Sequence, residues 1–417
     1  MGGTVERSGT RGWPSPAATS KLTVRGLLEA ASRTLLLMVV VTLLAYSFWW
    51  SLPRQDRFLD FGSFVAAGRA VAEGSNPYGV YPLVFHVEHP VIGVDVDAVN
   101  LNPPLSLLFF APLAALDPNR AFTAWYVLSF GLFAITVLLL VRNYPQQRSL
   151  RRVGWVLCLA GFWQTLQLGQ IYIPLVLVCT VGWLALQHGR GIFAGLAIGC
   201  VVAFKPTFAV WPLLLMMAGY QTVALWALGS AAALSVVPLV IFGIDIYNDW
   251  LQASASFDGL SLLGNCSMTG LASRFGMTWL GGILSLALLI GLVIWARLKR
   301  PPIVGLSSVG IVASLLTSPI SWAGYSLFLL PVLFGRPWTR LMLAGAMFLL
   351  IPFWLVSIGV RWSQTYWSYY WSYVILGSVY WPAMVLLLWS LWRDTDLRGV
   401  VGRRSGHTRS LADDRSV

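Results

Sequence analysis

Charge is scarce in this chain. Asp, Glu, Lys and Arg make up 11% of its 417 residues, against about a quarter in an ordinary soluble domain. That shortage, set against 57% hydrophobic residues, excludes both a soluble globular enzyme and a disordered chain. Cysteine is scarce as well. Cys158, Cys179 and Cys200 fall inside apolar runs, where cysteine acts as a small hydrophobe, and Cys266 stands alone in a polar loop. No pair has zinc-site spacing, and no disulfide framework is suggested. Repeats of fixed period are absent. A cleavable signal peptide is not expected either, because about thirty polar, Ser- and Arg-containing residues precede the first apolar run.

What the chain has instead is long apolar sequence. Its mean hydropathy is +0.72. Apolar segments read near 33–50, 120–141, 153–167, 171–187, 191–204, 206–218, 222–243, 281–297, 302–317, 323–334, 339–359 and 372–392. A bilayer core needs about 20 such residues per helix. The shorter segments are therefore expected to continue through their narrow gaps, Gly169-Gln170 and Lys205-Pro206. Residues 105–116 read either as a short span or as an interfacial, re-entrant helix. The expectation is an all-α polytopic membrane protein of about twelve spans, or thirteen if 105–116 crosses. A membrane domain over 33–392 would lie between cytoplasmic tails at 1–32 and 393–417.

The net charge of +12 first suggests nucleic acid, but there is no zinc-finger spacing and no basic helix with an apolar dimer face. Cytoplasmic loops collect Lys and Arg, and that rule sorts the charges. With the N-terminus inside and 105–116 not crossing, the inner segments hold 21 of the 28 basic residues. They hold only six of the 16 acidic ones. The inner side is then +15 and the outer side −3. Anionic inner-leaflet lipid favours the same arrangement. The excess reads as a topology signal, and no nucleic-acid partner is needed.

The same sorting gathers the polar punctuation on the outer face. The long loops 51–104 and 244–280 fall there, with Asp60, Asn76-Pro77-Tyr78, Asn102 and Asn265. So do Gln170, Lys205, Ser321-Trp322, Tyr325 and Arg361. Asp60 begins a segment of helical apolar spacing, read as an amphipathic helix at the membrane surface. Its carboxylate can cap that helix or serve as a general base. Lys205 interrupts an apolar run. It reads either as a snorkelling residue or as a functional cation beside the helix disturbance at Pro206, with a lipid phosphate as partner. Arg361 lies among aromatics that suit an interfacial belt or a sugar and phosphate site. Gln170, Asn102, Asn265 and Ser321 are hydrogen-bonding groups at span ends and also read as caps. His86 and His89 flank Glu88 with poor metal spacing and read as solvated loop histidines. His188 and His407 fall in cytoplasmic segments.

The ordered motifs LDFGSFVAAGRAVAEGSNPYG, NLNPPL, LGQIYIP, KPT, GNCSMTG and SPISW resemble glycosyltransferase family 87, bacterial polytopic enzymes of the GT-C superfamily. The resemblance runs over about residues 35–390. It implies a polyprenyl-phosphate sugar donor, mannosyl or arabinofuranosyl, and a lipid or glycan acceptor. It implies transfer on the extracytoplasmic side of the inner (plasma) membrane, with no cofactor and no metal. Asp60 matches the position of the catalytic carboxylate, and Lys205-Pro206 a motif compatible with donor phosphate contact. Arg361 is the second expected phosphate-binding cation. Asn76, Tyr78, Asn102, Gln170, Asn265, Ser321, Trp322 and Tyr325 are the expected substrate-binding set. One departure stands out. Gly324 occupies a place where similar sequences often carry a His, whose role here is lost or passed to another group such as His86 or His89. The rival classes are a lipid-linked-sugar flippase or transporter and a glycan polymerase. No inverted repeat of the transporter kind is found.

Overall fold

The computed structural model describes residues 38, 40–49, 59–82, 97–366 and 369–396. The chain divides into two compact units, residues 1–46 and 47–417, and all the site residues discussed below belong to the second. His86, Glu88 and His89 lie outside the described residues.

Helix dominates. Helices α1 (Val40–Trp49) and α2 (Leu59–Ala72) come first. The only strands among the described residues, Tyr81–Pro82 and Asp97–Ala98, pair antiparallel and close the loop after α2. Helix α3 (Leu105–Ala114) contains Pro112 and has ten residues. At 1.5 Å per residue it rises about 15 Å, half of a hydrocarbon core, so it is too short to cross one alone. Helix α4 (Pro118–Asn143) starts where Asp117 accepts from the amides of Asn119 and Arg120 and Pro118 takes the first position, the usual start of a helix. Then follow α5 (Leu150–Cys158), α6 (Ala160–Leu168), α7 (Tyr172–Gln187), α8 (Gly191–Phe204), α9 (Val210–Met217), α10 (Gln221–Phe242), α11 (Asp245–Ala255) and α12 (Met268–Arg274). The last group is α13 (Thr278–Lys299), α14 (Ile303–Thr317), α15 (Leu330–Phe334), α16 (Arg340–Phe348), α17 (Phe353–Tyr366) and α18 (Tyr369–Gly377).

The expected twelve spans are matched only in part by long helices. Among the described residues four helices are long and apolar enough to cross: Pro118–Asn143, Gln221–Phe242, Thr278–Lys299 and Tyr370–Asp396. A fifth results if Arg340–Phe348 and Phe353–Ser363, bent by 65°, form one span. An apolar run records burial without saying in what. Every residue from Leu306 to Leu316 in α14 is buried against protein, whereas the apolar windows of α10 and α13 are only 17% and 22% buried. Those two leave most of their apolar surface for lipid.

Helix α2 also departs from expectation. Phe61, Phe64, Val65 and Ala67 are all buried, so the helix is enclosed in protein and does not lie on a surface. Its small residues allow this. A Cβ on Gly68 would sit 3.1 Å from the α3 backbone at Ala111, so α2 and α3 touch nearly backbone to backbone. This packing holds Asp60, in the first turn of α2, at an inner position.

Candidate active site

Three chain turns bring the site together. The first ends α6. Gly169 adopts φ +67°, and its amide and that of Gln170 close the helix onto Leu166 and Thr165, a left-handed helix end that favours glycine. A Cβ there would also fall 2.5 Å from the Cβ of Phe61. Glycine therefore serves twice, turning the chain and letting α2 approach. The Trp125 indole donates to the Gly169 carbonyl at 2.9 Å and fixes the turn. As a result Gln170 Nε2 donates to Asp60 Oδ2 at 2.5 Å.

The second turn follows α8. Pro206 biases the residue before it towards extended backbone, and Lys205 has φ −139° and ψ 85°. Its side chain leaves the helix line and is buried. Lys205 Nζ donates to Asn102 Oδ1 at 2.6 Å and lies 4.9 Å and 5.5 Å from the ring centres of Tyr172 and Tyr325, within cation–π range. Asn102 is itself held. Its amide and Nδ2 both donate to Asn100 Oδ1, and its carbonyl accepts from the Tyr78 hydroxyl at 2.9 Å.

The third turn is the Ser318–Tyr325 stretch, braced by Asn265. Asn265 Oδ1 accepts from the amides of Ser267 and Ser321, and Nδ2 donates to the carbonyls of Leu260 and Pro319. With both amide hydrogens and both lone pairs used inside the protein, Asn265 acts as a clamp between two loops. Ser321 takes part in the same clamp. Arg274, buried, donates to the carbonyls of Leu262 and Asn265 and to Ser378. Asn265→Ala strands several buried backbone groups. It is expected to cost about 3 kcal/mol, taking each lost or orphaned group at roughly 1 kcal/mol. Thermal unfolding of the purified variant should show a Tm several degrees lower.

Asp60 carries the distinctive electrostatics. Crowding by protein strips water from its carboxyl although part of the residue stays accessible. This desolvation pushes its pKa up to about 6, against the opposing pull of the Gln170 hydrogen bond and the Lys205 charge. Among the described residues the one ion pair within 4 Å is Arg336–Asp394. Asp60 and Lys205 thus feel each other's charge without touching. A carboxyl pushed up to about 6 and a buried ammonium, more than 4 Å apart in one cluster, are suited to a substrate with a proton to lose at one end and a negative charge at the other.

The structure therefore joins Asp60, Gln170, Asn102, Lys205 and Tyr325 in one cluster. Tyr78 supports it from behind. Asn76 is exposed and its side chain accepts from the Tyr78 amide, a local turn. Arg361 is exposed on α17, and no contact among the described residues ties it to the cluster. Comparison with known proteins bears on what the cluster is. The sequence profile described as glycosyltransferase family 87 matches residues 100–319, more than half of the chain. The chain belongs to glycosyltransferase family 87.

Two characterised relatives agree with the assignment. One, from Mycolicibacterium smegmatis, is a polyprenol-phosphate-mannose-dependent alpha-(1-2)-phosphatidylinositol pentamannoside mannosyltransferase. It is 24% identical over 71% of this chain and 74% of its own length. The other, from Mycobacterium tuberculosis, is a polyprenol-phosphate-mannose-dependent alpha-(1-2)-phosphatidylinositol mannoside mannosyltransferase, 26% identical over 76% and 78%. No solved structure matches the chain significantly. Membership of the family and the lipid-facing helices together make this a multi-pass membrane glycosyltransferase. The matched span includes Asn102, Gln170, Lys205 and Asn265, and Asp60 precedes it.

In this family 87 chain Tyr172 and Asn100 also hold the cluster, through Lys205 and Asn102. Tyr172 and Asn100 sit inside the quoted motifs LGQIYIP and NLNPPL, which was the available signal.

Proposed function

We propose that the protein transfers a mannosyl group from a polyprenyl-phosphate mannose donor to a hydroxyl of a lipid- or glycan-linked acceptor. The transfer takes place on the extracytoplasmic face of the plasma membrane, with inversion at the anomeric carbon. The observation that carries the reading is one cluster in which the Asp60 carboxyl, held by Gln170, feels the charge of the Lys205 ammonium, held by Asn102. Asp60 takes the proton from the acceptor hydroxyl. The freed oxygen bonds to the anomeric carbon while the bond from that carbon to the phosphate oxygen breaks. The electron pair leaves with polyprenyl phosphate. Lys205, held by Asn102, offsets the charge on the departing phosphate. Gln170 orients the carboxylate. Phosphate is a good leaving group, so the reaction requires neither metal nor cofactor.

Three observations support this reading. Residues assigned to the outer face by the distribution of Lys and Arg in other loops are the ones that converge. Both relatives carry polyprenol-phosphate-mannose dependence in their names. The exposed apolar flanks of α10 and α13 suit lipid and a polyprenyl chain. The test is incubation of sealed right-side-out and inside-out vesicles, containing the purified protein, with labelled polyprenyl-phosphate mannose and a mannoside acceptor. Label is expected in the acceptor when the outer face meets it. Movement of intact lipid across the bilayer without transfer would instead identify a flippase.

A further inference from the structure

Residues 100–104 form a strap that carries Asn102 to Lys205. Two bonds to its backbone place the strap. The Leu101 carbonyl accepts from the Trp250 indole at 3.1 Å, and the Asn102 carbonyl accepts from the Tyr78 hydroxyl at 2.9 Å. Neither bond places the Asn102 side chain. Asn100 does that. Its Oδ1 accepts from the Asn102 amide at 3.0 Å and from Asn102 Nδ2 at 3.1 Å, so one oxygen grips the residue at backbone and at side chain together. Both asparagines are buried, and water has little access to these bonds.

The network permits one arrangement. A backbone N–H can only donate, and so can an ammonium. The oxygen of Asn100 must therefore face the Asn102 amide, and the oxygen of Asn102 must face Lys205. Neither carboxamide can be turned over without setting donor against donor. Asn102 Oδ1 is thus delivered to Lys205 Nζ at 2.6 Å by a residue one step removed from the lysine. The anchor is also neutral. Asn102 takes one of the three ammonium hydrogens, and the Tyr172 and Tyr325 rings, at 4.9 Å and 5.5 Å, attract the charge without cancelling it. A carboxylate in place of the Asn102 carboxamide would form an ion pair with Lys205 and compete with an incoming anion. The carboxamide fixes the cation and leaves its charge whole.

We infer that Asn100 is a positioning residue for the donor phosphate: through Asn102 it holds the Lys205 ammonium in place, with its charge uncancelled, for the polyprenyl phosphate to meet. This rests on reading Lys205 as the phosphate contact. Asn100 acts through the lysine, so its contribution to phosphate binding exists only while the lysine is there. That dependence separates positioning from a structural role, and from a direct contact between Asn100 and the phosphate.

The test is a double-mutant cycle on the full chain in nanodiscs, as wild type, Asn100→Ala, Lys205→Met and the double variant. Binding of sugar-free polyprenyl phosphate is measured for each, with the Tm alongside. Asn100→Ala is expected to weaken binding about tenfold, the equivalent of one hydrogen bond. In the Lys205→Met background the same substitution should change binding less than about twofold, because residues that act through one another are not additive. Trp250→Phe serves as the control. It releases the strap at Leu101 and leaves the grip of Asn100 on Asn102 intact, so it should lower the Tm and keep phosphate binding within about twofold of wild type. If Asn100→Ala fails to fold, Asn100→Ser runs the same cycle. Serine keeps an acceptor for the Asn102 amide in the turn, on a side chain too short to hold Nδ2 as well.

Phosphate binding by Asn100→Ala equal to that of wild type overturns the proposal. So does an equal loss in both backgrounds, which would give Asn100 a phosphate contact of its own, through the Nδ2 that has no protein partner, or a structural role alone. A loss in Trp250→Phe as large as in Asn100→Ala overturns it by assigning the effect to the strap as a whole, and a wild type that binds no polyprenyl phosphate overturns it as well. A wild type that binds the phosphate yet transfers no mannose refutes the functional reading alone, and the cycle still decides the role of Asn100.

Discussion

An Asp60→Asn variant is expected to bind polyprenyl-phosphate mannose within about threefold of wild type and to transfer its sugar 10²- to 10⁴-fold more slowly, the usual worth of a positioned general base. The substitution keeps the shape and a hydrogen-bonding partner for Gln170, and it removes only the basic oxygen. The donor phosphate contact belongs to Lys205, so affinity should survive where turnover does not. The pH profile of the wild type supplies an internal check. The carboxyl is pushed up to about 6 by desolvation, and only the ionised form accepts a proton. The kcat/KM of the wild type should therefore rise about tenfold per pH unit below 6. The residual rate of Asp60→Asn should lack that rise. Measurement of mannosyl transfer between pH 4.5 and 8 decides the matter, and a variant at wild-type rate would exclude Asp60 as the base.

Replacing Lys205 by Met should cost 10²- to 10³-fold in transfer, comparable to removing one preorganised donor from a charge-stabilising site. Met matches the length of the side chain and keeps its packing between Tyr172 and Tyr325, so the loss reports charge. Two further consequences follow from the geometry. Asn102 Oδ1 loses the donor that it meets at 2.6 Å, and binding of sugar-free polyprenyl phosphate should fall along with turnover. The Lys205 charge also favours the ionised form of Asp60. Without it the Asp60 midpoint rises, and the low-pH rise of activity should move upward from about 6. A Lys205→Met enzyme with unchanged phosphate binding and an unchanged pH profile would show that the ammonium merely fills space.

Part of this site could be read along the chain, and the reason differs for each residue. Asp60, Gln170 and Lys205 are conspicuous because polar groups next to apolar runs are costly, so they attract attention before any fold is known. Asn265 attracted it on the same grounds and for the same cost. Yet that cost is met entirely within the protein, by four hydrogen bonds to two loops. Polarity in an apolar setting marks a group that needs partners. It does not say whether the partner is backbone or substrate. Arg361 shows the reverse, since it stands among aromatics in the sequence yet sits exposed, with no contact to the cluster among the described residues.

Membrane class follows from composition. A chain with 57% hydrophobic residues must place them in lipid or in a large core, and burial free energy is roughly additive along the chain, so the sequence alone carries it. Tertiary packing decided the rest. It set which apolar helices face lipid and which, like α14, face only protein. It buried α2 where spacing suggested a surface helix, because glycine and alanine let backbones meet. It brought Gln164 and Thr165 against Gly324 from 159 residues further along the chain, a juxtaposition with no local energetic signature. Partners distant in sequence meet only when the chain folds.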